Sequence, residues 1–358
     1  MTTIFAFVIV LGILIFFHEL GHFLMAKING VGVLKFSLGF GPAIIKKRIG
    51  ETEYRISAIP LGGYVKMLGE DPDKDDEISH IDDEKAFSSK SLKARAVIVA
   101  AGPVFNLLLA IVIYTLIAWW GIPSFLPVVG DLIDNSPAYD AGILAGDRIE
   151  AIDGNPVELW EDISFLLKDA NPETRVEMTI NREGELFTVH VSPIMTTDTN
   201  IFGEEIQRPM IGISRGEKII TKRLGFFSGI GYGFSKTYQV IELTGIALKK
   251  MVDGTLDIKE SLGGPILIAQ VSGETFKAGM LPFFFMIAFV SINLALINIL
   301  PIPILDGGHL LFFLIEGITG KPVEGRPREI AQQIGLFLLI LLMLFAFYND
   351  LIRVFKGV

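Results

Sequence analysis

The protein is a chain of 358 residues in which 51% of the residues are apolar and only 20% are charged. Soluble domains carry about 25% charged residues, so this composition, with a mean hydropathy of +0.52, argues against a purely soluble protein and indicates a membrane protein with a soluble part. A net charge of -9 offers no basic surface to a phosphate backbone and argues against nucleic acid as a partner. The sequence has no cysteine, so any metal must be held by His, Asp, Glu or Asn.

The first predicted element is an apolar helix at residues 1–26 that is long enough to cross a bilayer. It lacks the basic start and the small-residue cleavage site of a signal peptide, so we expect it to be retained. It contains the motif His18-Glu19-Leu20-Gly21-His22. Residues four apart share one face of a helix, so both imidazoles can bind one Zn²⁺ while Glu19 takes a proton from an attacking water molecule.

The position of this motif strengthens its interpretation. Ionisable residues inside a spanning segment are costly unless they are paired or coordinate a metal. Three of them within five positions therefore predict a functional site. The alternative is an interfacial helix end whose histidines are solvated.

Residues 27–96 are predicted to form a β-rich loop followed by an acidic linker near residues 70–85. Runs of β-branched and aromatic residues between 33 and 67 are broken by glycines, which is typical of short strands joined by turns. An extended substrate at membrane depth needs new backbone partners, and an edge strand of this loop is a candidate source of them. The candidate edge residues are Tyr54, Arg55, Ile56, Ser57, Gly62 and Gly63.

A second predicted membrane helix covers residues 97–121 and ends in Trp119 and Trp120, side chains that favour a membrane interface. Residues 127–195 then alternate short β-rich runs with one helical pattern, which predicts a small α/β module. The following extracytoplasmic region, residues 196–277, has apolar residues at helical spacing from 224 to 250. This spacing predicts an amphipathic helix that lies on the membrane or on the helix bundle.

The third predicted membrane helix, residues 278–305, is broken by two prolines and is followed by Asp306. The first and third spans run in the same direction, so the carboxylate of Asp306 and the two histidines reach the same side of the membrane. Asp306 is therefore the predicted third metal ligand, and the alternative is an ordinary turn aspartate before two glycines. His309 and Glu316 are competing ligand candidates. Asn298 is predicted either to pack helices or to donate a hydrogen bond to a developing oxyanion.

The remaining elements are a polar hairpin at residues 306–329, a fourth membrane helix at residues 330–349 and a tail at residues 350–358. Basic residues are denser in the 27–96 loop than in the large third loop, so the positive-inside rule places that loop and the hairpin in the cytoplasm. Both termini and the α/β module are then outside. About fifteen residues of helix, some 22 Å, precede His18, so we expect the site nearer the cytoplasmic face.

The combination of motifs resembles the site-2 protease family of intramembrane zinc metalloproteases, in its bacterial RseP-type branch. The segments that carry the resemblance are His18-Glu19-x-x-His22, Asn298-x-x-Pro301-x-Pro303-x-Leu305-Asp306-Gly307-Gly308, Ala101-Gly102-Pro103-Val104-Phe105-Asn106, Ser261-Leu262-Gly263-Gly264-Pro265-Ile266 and Pro60-Leu61-Gly62-Gly63-Tyr64-Val65-Lys66-Met67.

The resemblance implies that His18, His22 and Asp306 bind one Zn²⁺ per chain and that Glu19 is the general base. It also implies that Asn298 helps to bind substrate or to stabilise the tetrahedral intermediate. The implied fold is a polytopic α-helical membrane protein with four transmembrane helices, a membrane-associated β-rich loop and one extracytoplasmic PDZ-like α/β domain.

Residues 135–149, followed by Ile152-Asp153-Gly154, are similar to a PDZ domain, which binds peptide ends by adding a strand to a sheet edge. The candidate peptide-binding loop is Val128, Val129 and Gly130. The RseP-type arrangement has two tandem PDZ domains, whereas this chain has room for one. A purely steric role for the module is the alternative.

The predicted function is that of a zinc endopeptidase in regulated intramembrane proteolysis. The resemblance implies a single-pass membrane protein as substrate, of the anti-sigma factor or remnant signal peptide class, after a first cut by another protease. The expected location is the bacterial inner membrane, with the lipid bilayer and a PDZ ligand peptide as further partners. Two alternatives are a metal transporter, which would not need Glu19, and a catalytically idle PDZ adaptor, which would have lost the metal ligands.

Overall fold

The computed structural model describes residues 1–70, 83–171, 174–261, 263–323 and 325–356. Most of the predicted acidic linker, residues 71–82, lies outside the described residues, as does Leu262 of the Gly-Gly-Pro segment. The helices are α1 (Thr2–Ile28), α2 (Leu92–Trp120), α3 (Pro137–Asp140), α4 (Trp160–Leu167), α5 (Phe226–Val252), α6 (Ile258–Ser261), α7 (Pro265–Ala278), α8 (Met280–Ile299), α9 (Asp306–Thr319) and α10 (Arg326–Lys356). The strands are β1 (Val33–Ile49), β2 (Thr52–Met67), β3 (Ile122–Phe125), β4 (Val129–Leu132), β5 (Arg148–Ile152), β6 (Asn155–Pro156), β7 (Val176–Arg182), β8 (Glu185–Val191), β9 (Ile194–Thr199), β10 (Glu205–Met210), β11 (Ile213–Arg215) and β12 (Ile219–Lys222).

Four helices of the described chain, α1, α2, α8 and α10, are long and apolar enough to cross a bilayer. They overlap the four predicted spans, but α2 begins at Leu92 rather than at residue 97 and α10 begins at Arg326 rather than at residue 330, and two helices end elsewhere than predicted. Helix α8 stops at Ile299 rather than at residue 305, because Leu300 turns to an extended conformation before the two prolines. Helix α10 continues to Lys356, so the described part of the predicted tail is helical.

The chain forms two compact units, residues 1–117 with 227–358, and residues 118–226. In the first unit, α1 packs along α7 so closely that a Cβ on Gly273 would lie 2.6 Å from Thr3 Oγ1. The N-terminus of α7 is held by Asp350 of α10, which is 1% exposed. Its carboxylate accepts hydrogen bonds from the amides of Gly264, Ile266 and Leu267 at 2.9, 2.8 and 3.2 Å. This buried carboxylate satisfies amide donors that a helix start leaves unpaired.

The predicted amphipathic helix corresponds to α5. A Cβ on Gly233 would lie 2.6 Å from the carbonyl oxygen of Ile111, and it would also collide with the Thr115 side chain. Helix α5 is therefore in direct contact with α2 at this turn. Of the two predicted positions, on the membrane or on the helix bundle, this contact favours the helix bundle.

The β-rich loop folds into a curled sheet in which the middle of β2 is not an edge. Tyr54, Arg55 and Ile56 have partners on both sides, in the first half of β1 and in its second half. Ser57 is paired with Ala43, and its hydroxyl lies 3.1 Å from the hydroxyl of Ser37. The structure therefore contradicts the prediction of an edge strand at Tyr54–Ile56, because these residues have strand partners on both sides, whereas Ser57 has a strand partner on one side. Two segments are each paired on one side only: residues 63–67, opposite residues 33–38 of β1, and residues 43–49, opposite residues 52–57 of β2.

The second unit contains the predicted α/β module but is longer than residues 127–195. Its four-stranded antiparallel sheet has the order β6-β5-β7-β8. Strands from the predicted region 196–277 return to it, since β11 pairs with β4 and β12 pairs with β3. Ile211 completes a core that includes Ile149, Met178 and Ile180. The predicted boundary at residue 195 is corrected to residue 226, because the return strands close the module.

The predicted peptide-binding loop at Val128, Val129 and Gly130 is already engaged in internal pairing. The Val129 amide donates to the Asp147 carbonyl at 2.8 Å, and the Val129 carbonyl accepts from the Gly146 amide at 2.9 Å. The Val128 carbonyl accepts from the Gly216 amide at 2.9 Å. These residues therefore do not form an open edge, and β11, which is paired on one side with β4, is the better candidate edge.

An ion pair fixes the turn that precedes β5. Arg182 donates from Nε and Nη2 to the two carboxylate oxygens of Asp147 at 2.8 and 2.7 Å. Burial acts to raise the pKa of the Asp147 carboxyl, but the hydrogen bonds from Arg182 and from the Leu144 amide outweigh it and lower that pKa. The carboxylate is thus kept ionised inside the module.

Candidate metal centre

Helix α1 places His18 and His22 on one face, one turn apart, as the spacing predicts. Their Nε2 atoms are 3.3 Å from each other. His22 is 8% exposed and Glu19 is 9% exposed, so the motif is buried inside the bundle. Two imidazole nitrogens this close can bind one shared metal ion.

Two glycines make room for these side chains between α1 and α2. A Cβ on Gly21 would collide with the carbonyl of Ala101, so α1 can approach α2 only at a residue without a side chain. A Cβ on Gly102 would lie 2.8 Å from Cε1 of His18 and would collide with the imidazole of His22. Gly102 therefore leaves the space that both rings occupy.

We expect Gly102→Ala to release bound zinc to a chelator about tenfold faster or more, because the new methyl group displaces both imidazoles. The matched control is Gly12→Ala in α1, where a Cβ would have no neighbour within 4 Å. Equal release rates for the two variants would contradict the role assigned to Gly102.

The carboxylate of Asp306 reaches the histidines from the start of α9. The chain leaves α8 at Ile299, and a Cβ on Gly308 would collide with the carbonyl of Ile302. A Cβ on Gly307 would likewise collide with the carbonyls of Ile299 and Leu300. The Gly-Gly pair thus lets α9 start tight against the end of α8, with Asp306 as its first residue.

The three side chains converge on one point. Asp306 Oδ2 is 3.2 Å from His18 Nε2, and Asp306 Oδ1 is 3.5 Å from His22 Nε2. One donor atom from each residue lies within 4.8 Å of the others, and among the described residues this is the group of His and carboxylate side chains that meets so closely. Asp306 Oδ2 is buried without a hydrogen-bond partner. Two imidazoles and one carboxylate fit Zn²⁺, which takes three protein ligands and keeps one open position in catalytic sites.

A backbone carbonyl orients the second histidine. His22 Nδ1 is 3.0 Å from the carbonyl oxygen of Ile98, which can only accept a hydrogen bond. The proton of a neutral His22 therefore sits on Nδ1, and the lone pair of Nε2 points to Asp306.

Asn298 and Glu19 border the same centre. The side-chain nitrogen of Asn298 is 3.5 Å from His18 Nε2, so the predicted contact between the proline-broken stretch and the motif exists. Glu19, His18, His22 and Asp306 line one cavity of about 920 Å³.

The residues at the edge of β2 border this cavity as well. A Cβ on Gly63 would lie 2.7 Å from Ile15 Cγ2 and 3.0 Å from Glu19 Cγ, so the strand passes directly over the motif. Gly62 precedes it at a φ of 133°, which favours glycine. Of the predicted edge residues, the structure brings Gly63 to the cavity and leaves Tyr54, Arg55 and Ile56 inside the sheet.

The two competing ligands have other contacts. Glu316 accepts hydrogen bonds from Arg95 Nη1 at 3.2 Å and Nη2 at 2.5 Å. The Arg95 guanidinium also lies over the Phe313 ring, 5.1 Å from its centroid. His309 lines the cavity with its ring 6.4 Å from that of Phe312. Neither residue joins the converging group.

The model of peptidase family M50 matches residues 6–342. The chain belongs to peptidase family M50. A protein named as a zinc metalloprotease of Mesorhizobium japonicum is 36% identical over 98% of this chain and 98% of its own length. One from Clostridium acetobutylicum is 38% identical over 96% of each chain. The regulator of sigma-W protease RasP of Bacillus subtilis is 32% identical over 99% of each chain.

The PDZ domain of the SdrC-like protein of Listeria monocytogenes aligns with 26% of this chain and 87% of that domain, at 21% identity and a TM-score of 0.21. The M50 membership confirms the predicted resemblance to site-2 proteases, the zinc metalloprotease activity and the zinc cofactor. This M50 protease is accordingly a membrane protein with several spanning helices.

Proposed function

We propose that this M50 protease cuts single-pass membrane proteins within their transmembrane segments, with His18, His22 and Asp306 as zinc ligands. The observation that supports this most directly is the meeting of two imidazoles and one carboxylate between apolar helices. A Zn²⁺ ion held by these three side chains would supply a Lewis acid for the scissile carbonyl and would lower the pKa of a water molecule toward neutrality.

Glu19 is the proposed general base. Its carboxylate follows His18 in the helix and faces the same cavity, so it can take the proton from the attacking water and return it to the leaving amine. The side-chain amide of Asn298 is proposed to donate a hydrogen bond to the carbonyl oxygen as that oxygen gains negative charge, which its nitrogen, 3.5 Å from His18 Nε2, supports.

The substrate is proposed to bind as an added strand beside residues 62–67. A peptide bond in a membrane helix is shielded by its own hydrogen bonds, so the substrate must unwind, and its freed backbone groups then need partners. Residues 63–67 are paired with β1 on one side only, and the strand borders the cavity of Glu19, which supports this place for the substrate.

We further propose that the active site lies nearer the cytoplasmic face, with the N-terminus and residues 118–226 outside. The density of basic residues in the 27–96 loop supports this orientation. The name of the Bacillus subtilis relative, a regulator of sigma-W protease, supports substrates of the anti-sigma factor class. In this proposal the PDZ-like module limits access to substrates whose outer domain another protease has removed.

The test compares two forms of one single-pass substrate, with and without its outer domain, incubated with the purified full-length protease. We expect cleavage of the shortened form and little cleavage of the intact form, because the intact outer domain is too large to pass the module. Equal cleavage of both forms would contradict the requirement for a first cut and leave the intramembrane chemistry unaffected.

A further inference from the structure

The His18 imidazole, the first ligand of the proposed zinc site, has a polar neighbour, Asn106, to which the sequence motifs assign no role. The side-chain nitrogen position of Asn106, on α2, is 3.3 Å from His18 Nδ1. Asn106 is fully buried, and its Oδ1 has no hydrogen-bond partner. A buried amide oxygen without a partner is costly, so this orphan atom requires an explanation.

The two ends of the Asn106 amide cannot be distinguished by shape, and the hydrogen-bond network decides which one faces the imidazole. With the nitrogen toward His18, the amide donates to Nδ1, so a neutral His18 carries its proton on Nε2. That proton would point at Asp306 and His22, whereas metal binding needs a lone pair on Nε2 in that direction. With the amide turned by 180°, Oδ1 accepts a hydrogen bond from Nδ1–H, the orphan atom gains a partner, and Nε2 is free to bind metal.

The surroundings favour the second orientation. His22, one turn further along α1, already has its Nδ1 against the carbonyl of Ile98, an obligatory acceptor. With Oδ1 of Asn106 turned toward His18, α2 supplies one acceptor to the Nδ1 atom of each histidine.

The backbone of Asn106 is held in place by α8. The hydroxyl of Ser291 donates to the Asn106 carbonyl at 2.8 Å, and Ser291 is fully buried. The side chain of Asn106 thus starts from a fixed point next to His18 and has little freedom to turn away.

We propose that Asn106 is a positioning residue that accepts a hydrogen bond from His18 Nδ1–H and so presents His18 Nε2 to the zinc ion. This inference rests on the proposed zinc ligands. It assigns to Asn106 the role that the Ile98 carbonyl has for His22.

The test uses two substitutions of opposite chemistry in the full-length protein. Asn106→Asp keeps an acceptor beside Nδ1 and removes the donor, whereas Asn106→Leu keeps the approximate size and removes both. We expect zinc to leave the Leu variant for a chelator about 10 to 100 times faster than the wild type, the cost typical of lost outer contacts of a ligand. The Asp variant is expected to hold zinc within about threefold of the wild type, because a carboxylate is a stronger acceptor for Nδ1–H.

The matched control is Asn349→Leu, which removes another asparagine that is buried in a long apolar helix, α10, at 3% exposure. Its zinc release is expected to equal that of the wild type. The absorption spectrum of the cobalt-substituted protein gives a second measure, with unchanged bands in the Asp variant and altered bands in the Leu variant.

Three results would overturn the proposal. They are zinc release from the Asp variant as fast as from the Leu variant, zinc release from the Leu variant as slow as from the wild type, or zinc release from the Asn349→Leu control as fast as from Asn106→Leu. A wild-type protein without stoichiometric zinc would instead contradict the proposed metal site itself. The two failures are therefore distinguishable in one experiment.

Discussion

Replacing Glu19 by Gln is expected to lower the rate of substrate cleavage by about 10² to 10⁴-fold, the contribution typical of a general base. Glutamine has nearly the same shape but cannot take a proton from the attacking water. Since Glu19 is outside the converging group of His18, His22 and Asp306, zinc content is expected to stay at the wild-type level. The measurement is single-turnover cleavage together with metal analysis of the same sample.

The matched control for this substitution is Glu70→Gln. Glu70 lines the same cavity, and its carboxylate accepts from the Met67 amide at 3.2 Å. We expect this variant to keep most of its activity. Normal cleavage by the Glu19 variant, or an equal loss in both variants, would contradict the proposed role of Glu19.

Replacing Asp306 by Asn is expected to have the largest effect on the metal. An amide oxygen is a weaker ligand than a carboxylate and brings no charge to balance the ion. Loss of a hydrogen-bond partner of a metal ligand typically weakens metal binding by roughly 10 to 100-fold. We expect the loss of the ligand itself to accelerate zinc release by more than that, and the rate of substrate cleavage to fall as zinc is lost. The measurement is zinc transfer to a chelator, followed over time in detergent.

The comparison variant is Glu316→Gln, which changes the competing carboxylate. Glu316 is paired with Arg95 in the structure, so we expect its zinc release to match that of the wild type. Full zinc occupancy and normal activity in Asp306→Asn would move the third ligand to Glu316 or His309.

The sequence was sufficient to predict which side chains meet at the metal centre. The spacing of His18 and His22 places them on one helical face whatever surrounds the helix. The first and third membrane helices run in the same direction, so Asp306, which follows the third helix, reaches the same side of the membrane as His18 and His22. These two inferences depend on helix geometry and on topology, which sequence patterns report directly.

The contacts behind the histidines could not be predicted in this way. Ile98 and Asn106 reach His22 and His18 because α2 approaches α1 at Gly21 and Gly102. A close approach of two helices depends on which small residues face each other, and no local pattern reveals that. The sequence shows the Ala101-Gly102-Pro103 segment as part of the family resemblance. The need for a glycine at position 102 is steric, and it becomes evident only when the packing of α1 against α2 is known.

The β-rich parts show where sequence patterns stop being informative. Alternation identified strands between 33 and 67, but the strand that contains Tyr54 gains its second partner because β1 curls back over it. The α/β module was ended too early for a similar reason. Its strands β11 and β12 are short and pair with β4 and β3, more than eighty residues earlier in the chain. Register and pairing partners of this kind are non-local.

The most direct test of the account is the position of the cut. A single-pass substrate without its outer domain is incubated with the purified wild-type protease, with and without a zinc chelator, and the products are identified by mass spectrometry. The account predicts a cut inside the apolar segment of the substrate that disappears with the chelator. A cut confined to the soluble flank of the substrate, or one that persists when zinc is removed, would contradict it.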